Sequence, residues 1–291
     1  MSAGEGLHMP LDRDTLLRGV RKLPSLPAVV IELLQSMDRE DTDTRRLAAK
    51  LAQDQALAAR VLRVANSSFY GLQGKVETIS DAVAVLGLNG LRTLATAAAV
   101  TGAFAGGKHG EGGYDLASFW RHSVAVALCA REIARRRHMN EGNAFAAGLL
   151  HDIGRLALAS SFPEHLAAVA QARAASGDCW LFAERHVLGT DHAEIGRQLT
   201  EHWRFPVTLS CAIGAHHAPG KDATAGNTLA AVVHLADALA HLLPVANPAP
   251  VPLPPVETAA WETVGLDEAT AQDVLAVVEM EFDAASDALT S

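Results

Sequence analysis

Cysteine is scarce in this chain: Cys129, Cys179 and Cys211 lie far apart, with no C-x-x-C pair. That spacing excludes a disulfide framework and a cysteine zinc finger, and it suits a reducing compartment. Aromatic residues make up only 5% of the 291 residues, and the valine/isoleucine alternation that strands need is missing. A β-rich fold is thereby excluded in favour of an all-α one built on alanine and leucine. Positive charge is also short, with 24 Lys+Arg against 33 Asp+Glu and a net charge of −9. A general nucleic-acid binder needs the opposite balance. The opening MSAGEGLHMPLDRD lacks a charged-then-apolar leader, and the run from Leu94 to Gly107 is too short and glycine-rich to span a bilayer. The expectation is a cytoplasmic chain with neither nucleic acid nor membrane as its partner.

Two composition breaks organise the sequence. Thr101 to Gly113 holds six glycines in thirteen residues, which opposes helix, and Pro244 to Pro255 holds six of the twelve prolines. The expected units are an N-terminal helical subdomain (1–105), a second helical subdomain (114–243), a proline-rich linker (244–256) and a C-terminal helix (257–291). In the first unit, Asp43 and Thr44 supply helix-capping chemistry, and Thr78-Ile79-Ser80-Asp81 reads as a capping box. Gly87 to Gly90 predicts a turn into a further helix from Leu91. Nothing in this unit gathers acids, bases or ligands, so it reads as scaffold or interaction surface. Arg131, Arg135, Arg136 and Arg137 form a basic run that is either a solvated helix end or an anion contact.

Chemistry concentrates in the second unit. His151-Asp152 sits inside Gly148-Leu149-Leu150-His151-Asp152-Ile153-Gly154-Arg155-Leu156, where apolar flanks predict a buried helix running from Asn143 to Ser160. Burying an imidazole and a carboxylate is costly unless each is paired or coordinated. Candidate partners fall on other predicted helices: His122, His192, His216, His217 and Asp237. Neutral imidazoles with carboxylates suit borderline cations, and one carboxylate can bridge two of them. His234 and His241, three before and four after Asp237, share its helix face, where either could substitute as a ligand or simply hydrogen-bond it.

The order of these residues resembles the HD superfamily of metal-dependent phosphohydrolases, and more closely its HDOD branch (HD-related output domain) of bacterial signalling proteins. The stretches that carry the resemblance are Leu23-Pro24-Ser25-Leu26-Pro27, Asp54 to Tyr70, Ile79 to Arg92, Phe119 to Ser123 and Leu149 to Arg155. It implies an all-α bundle, with an N-terminal helical subdomain packed on an HD-type one. It implies one metal held by His122, His151, Asp152 and Asp237, and a second held by His192, His216 and His217 with Asp152 bridging. The ions would be divalent iron, manganese, zinc or nickel. Many HDOD members lack several of these ligands and serve as non-catalytic output modules, whereas this chain keeps all seven. It departs from the active cyclic-dinucleotide phosphodiesterases by lacking G-Y-P after His217, by carrying Arg155 where they have lysine, and by Ser118 in place of a glutamate. The first expectation is a signalling module with structural or regulatory metals and a signalling protein as partner. The alternative is a phosphohydrolase or phosphodiesterase acting on a nucleotide, cyclic dinucleotide or phosphomonoester, a phosphate-containing small-molecule ligand, with Asp152 orienting the nucleophile and Arg155 steadying the phosphate.

Overall fold

The computed structural model describes residues 8–36, 43–67, 75–105, 115–220, 224–246 and 255–290. Every regular element among them is helical. The N-terminal part comprises α1 (Arg13–Val20), α2 (Ala28–Gln35), α3 (Thr44–Gln53), α4 (Gln55–Ala65) and α5 (Ile79–Ala105). The middle part comprises α6 (Leu116–Arg136), α7 (Glu141–Leu150), α8 (Ile153–Ser161), α9 (Pro163–Ser176) and α10 (Trp180–Leu188). It is followed by α11 (His192–His202), α12 (Val207–Ala215), α13 (Ala225–His241), α14 (Thr258–Val264) and α15 (Glu268–Thr290).

Polar side chains just before the apolar runs start many of these helices. Asp12, Asp43, Asp54, Asp115, Asn140, Asp191 and Thr224 each accept a backbone N–H from three residues on, satisfying donors that a helix start otherwise leaves unpaired. The capping box at Thr78 forms in both directions, Asp81 N–H donating to Thr78 Oγ1 and Thr78 N–H to Asp81 Oδ2. The turn expected after Leu86 is a kink: Gly87 adopts φ 70°, ψ 179° within α5, a left-handed φ that glycine takes at little cost.

α6 is the axis of the molecule. Val124 to Ala130 are fully buried, and α7, α13 and α15 all pack on this helix. α11 bridges α8 and α12, while α2, α3 and α4 gather on α5, which leans on α7. α5 is the one described helix long and apolar enough to cross a bilayer, yet 56% of that window is buried by its neighbours. It also carries buried Arg92, which donates to Leu33 O, Asn89 Oδ1 and Ser36 Oγ. A kinked helix with a bonded arginine inside its packing is a core element of this bundle.

Three expectations change. The predicted Asn143–Ser160 helix is two helices, α7 and α8, with His151 and Asp152 at their junction. Helix continues through Thr101 to Ala105 despite Gly102, whose missing Cβ leaves room for Arg60: a Cβ there would lie 1.7 Å from its Nη1. The tail holds α14 as well as α15. α9 and α10 fill the stretch between α8 and α11. The remainder of the glycine-rich segment, from 106, and of the proline-rich one, 247–254, falls outside the described residues. Three arginines of the basic run, Arg131, Arg135 and Arg136, pair with protein carboxylates. Arg135 and Arg136 hold Glu132, Arg136 also reaches Asp273, and Arg131 pairs with Glu281 on α15.

Candidate metal centre

Two local devices aim histidines inward. His151 follows the end of α7 and its Nδ1 bonds Gly148 O at 2.7 Å; His216 follows the end of α12 and its Nδ1 bonds Ile213 O at 2.6 Å. In each case a helix-terminal carbonyl that lacks an intrahelical donor is satisfied by the ring three residues later. The proton is thereby held on Nδ1, and the Nε2 lone pair points into the core.

Asp152 departs from helical geometry (φ −95°, ψ 12°) at the N-cap of α8, but its side chain makes no capping bond. An aspartate there ordinarily accepts the N–H of the second or third helical residue. Here the carboxylate is turned to the cluster. Its Oδ1 faces His192 Nε2 at 3.0 Å and His216 Nε2 at 3.9 Å; its Oδ2 faces His151 Nε2 at 3.5 Å and Arg155 Nη1 at 2.7 Å. On the far side, Asp237 Oδ1 lies 3.1 Å from His122 Nε2 and 3.9 Å from His151 Nε2. His217 Nε2 meets His192 Nε2 at 2.8 Å. All seven side chains named from the sequence thus converge. They fall into three groups: His192, His216 and His217; His122, His151 and Asp152; and His122, Asp237 and His241, the last two sharing His122.

Burial sets the ionisation of these groups. It pushes His216 down to about 3, helped by His151 and His192 nearby, and it drives His217 and His151 down as well. Burial alone would raise Asp152, but Arg155, His151 and His192 reverse this and hold it well below the usual carboxylate range. Asp237 is likewise held low against burial by the His122 and His241 rings. For His192, burial is outweighed by Glu184 and Asp152, which push it up to about 9. His151, His216 and His217 are thus neutral beside ionised carboxylates, the state that a transition metal requires of its ligands, whereas His192 would have to give up a proton to an incoming ion.

Spare atoms test the fit to such an ion. Asp152 Oδ1, Asp237 Oδ1 and His216 Nε2 are buried with no hydrogen-bond partner. Each orphaned buried group costs about 1–3 kcal/mol, and a cation bound among them would relieve several at once. The residues therefore fit the divalent transition metals implied by the donor set.

Glu184 is the residue that sequence reasoning missed. It lies on α10, fully buried, and its Oε2 accepts His192 Nδ1 at 2.5 Å and the His192 backbone N–H at 2.8 Å. The available signal was a lone carboxylate on the α10 face that also presents Leu181, Val187 and Leu188. A carboxylate on the outer nitrogen of a ligand histidine fixes its tautomer and raises its basicity. Glu184→Gln is therefore expected to weaken metal retention by about 10- to 100-fold, measured by competition with a chromophoric chelator. Unchanged affinity would remove Glu184 from this role.

His234 is excluded as a ligand by its bonds. Its Nδ1 donates to His216 O at 2.7 Å and its Nε2 accepts the Glu257 N–H at 2.8 Å. Arg155 sits on Asp152, with Nε 3.7 Å from Glu184 Oε1 and its guanidinium 5.8 Å from the Trp180 ring centroid. The clefts of about 600 Å³ and about 520 Å³, lined by residues such as Asn89 and Arg60 respectively, contain none of the cluster.

This helical scaffold with its H…HD…H…HH…D centre defines a class. The HDOD domain model matches residues 23–219, and the chain belongs to the HDOD family. A Shewanella amazonensis SB2B protein whose name assigns it provisionally to the phosphohydrolases is similar, at 32% identity and a TM-score of 0.74. That match covers 94% of this chain and 97% of the other. An HDOD domain protein of unknown function from Geobacter sulfurreducens is 27% identical with a TM-score of 0.77, covering 96% of this chain and 98% of its own. A Marinobacter aquaeolei VT8 protein provisionally named for signal transduction is 28% identical with a TM-score of 0.75, over 98% of this chain and 63% of that one. An uncharacterized Treponema pallidum (strain Nichols) protein is 26% identical over 202 residues; that match spans 67% of this chain and only 37% of the relative.

Proposed function

We propose that this chain is an HDOD signal-transduction module whose helical core is stapled by one or two divalent transition-metal ions. The observation that carries the reading is the position of Asp152, shared between the His192–His216–His217 group and His151 with its neighbours. His122, His151, Asp152 and Asp237 would hold one ion; His192, His216 and His217, with the same Asp152, would hold the other. Burial favours a structural or regulatory role. His151, Asp152, His192 and His216 are at most 2% exposed, and closed coordination marks structural sites whereas catalytic sites keep an open position. The resemblance to a protein named for signal transduction supports the output role, and the partner would be another signalling protein.

A second reading, metal-dependent hydrolysis of a nucleotide or phosphomonoester, rests on the same shared carboxylate. Metals bound there would supply a hydroxide at neutral pH. Asp152 would orient it, and Arg155, partly exposed, would have to release Asp152 before its planar fork could grip a phosphate.

The deciding experiment is metal analysis of protein purified without chelator or nickel resin, with turnover assays on cyclic di-GMP, cyclic AMP, dNTPs and p-nitrophenyl phosphate. The expected result is one or two equivalents of metal, no turnover and a melting temperature that falls on chelation. Free metal at 100 times its Kd would add about 2.7 kcal/mol to stability. A metal-free preparation indifferent to added Mn²⁺, Fe²⁺ or Zn²⁺ would sink both readings. Robust turnover that disappears in Asp152→Ala would favour the second.

A further inference from the structure

Asp237 Oδ1 has more nitrogen around it than the four-ligand set implies. Besides His122 and His151, His241 brings its Nε2 to 3.4 Å from the same oxygen. The placement follows from α13, where residues four apart lie one above the other on the same face. The His241 and His122 rings lie 4.6 Å apart, tilted by 39°, and one ligand atom each from His122, Asp237 and His241 falls within 4.8 Å of the others.

The simpler role for His241 is a hydrogen bond to Asp237. That contact helps to hold Asp237 low, but none of the three imidazole nitrogens within 4 Å of the buried Oδ1 is aligned as a hydrogen-bond donor to it, and His241 Nδ1 is unpartnered as well. Donors that converge on a carboxylate oxygen without hydrogen-bond alignment are arranged as ligands around a common point. His234 makes the contrast on the same helix: it spends both ring nitrogens on backbone groups.

We propose that His241 is a metal ligand, closing the subsite of His122, His151 and Asp237 with a further imidazole. The inference rests on the metal-centre reading above and deepens it. The two subsites then differ in kind. The His122 subsite carries one protein donor more than the four-ligand set, with its open edge at the partly exposed His241, whereas His192 and His216 of the other subsite are fully buried.

The test uses the full chain, stripped by chelator and titrated with Co²⁺, whose visible ligand-field spectrum reports coordination. His241→Ala is expected to weaken one Co²⁺ equivalent by more than about tenfold, on the scale of losses from disturbed ligand shells, and to alter its spectrum. His241→Gln still offers an N–H to Asp237 but no imidazole, and is expected to be as defective as the alanine variant. Circular dichroism of the stripped proteins checks that both variants fold. Wild-type affinity and spectrum in either variant would overturn the proposal while leaving the centre standing. Wild-type protein that takes up no Co²⁺ would overturn the centre and this proposal together.

Discussion

Asp152→Ala is expected to empty both subsites together, leaving the purified chain with almost no bound metal, whereas Asp237→Ala should lose only the ion of the His122 subsite. The difference follows from position: Asp152 presents one oxygen to His192 and His216 and the other to His151, while Asp237 is bounded by His122, His151 and His241. Stability falls as well. Arg155 loses its 2.7 Å partner and the fully buried His192 loses a carboxylate. Breaking a buried ion pair from one side costs about 3–5 kcal/mol; Arg155 retains some solvent access, so the lower end applies. Asp152→Asn, which keeps the volume, separates the two effects: metal content should still collapse with a smaller loss in the metal-free fold. Elemental analysis beside urea unfolding measures both. An Asp152→Ala chain that keeps its full metal content would refute the shared-carboxylate arrangement.

Gly154→Ala should damage the centre without touching a ligand. α8 and α11 cross so closely that a Cβ at Gly154 would lie 2.0 Å from His192 O and 2.8 Å from Gly196 N. Those are backbone atoms, so no side chain can swing away; the helices must part. Overpacking of this kind costs about 1–3 kcal/mol and occasionally more, and a backbone clash belongs at or above the top of that range. Separation of α11 from α8 also carries His192 away from Asp152, so metal affinity should fall with stability. Gly142→Ala is the comparison, because its Cβ would meet nothing closer than Thr93 Oγ1 at 3.2 Å. Denaturant midpoints for the two variants that coincide would show that the α8–α11 crossing does not constrain the centre.

These expectations show how much the linear pattern carries. Leu149 to Arg155 displays the histidine, the aspartate and the glycine, and each has a distinct physical task. The helix-start chemistry at Asp43 and Thr78 is equally legible, because a cap involves residues only two or three apart. Periodicity misled where it met His151-Asp152. Apolar neighbours on both sides read as one continuous helix, but the chain breaks there so that the carboxylate gives up capping and turns inward. Glu184 was illegible for another reason. Its partner His192 is eight residues away on another helix, and although Glu184 shares a face with Leu181, Val187 and Leu188, nothing local says that an imidazole meets it there.

The sequence by itself determined an all-helical chain of the HDOD kind and the residue types of its centre, since composition, periodicity and motif are properties of near neighbours along the chain. Only the tertiary structure decided what each donor does. His234 and His241 flank Asp237 on one helix face and are equivalent to any pattern argument, yet one is spent on backbone groups and the other closes on the carboxylate. That choice depends on which segments pack against each turn of α13, and it arises from the fold alone.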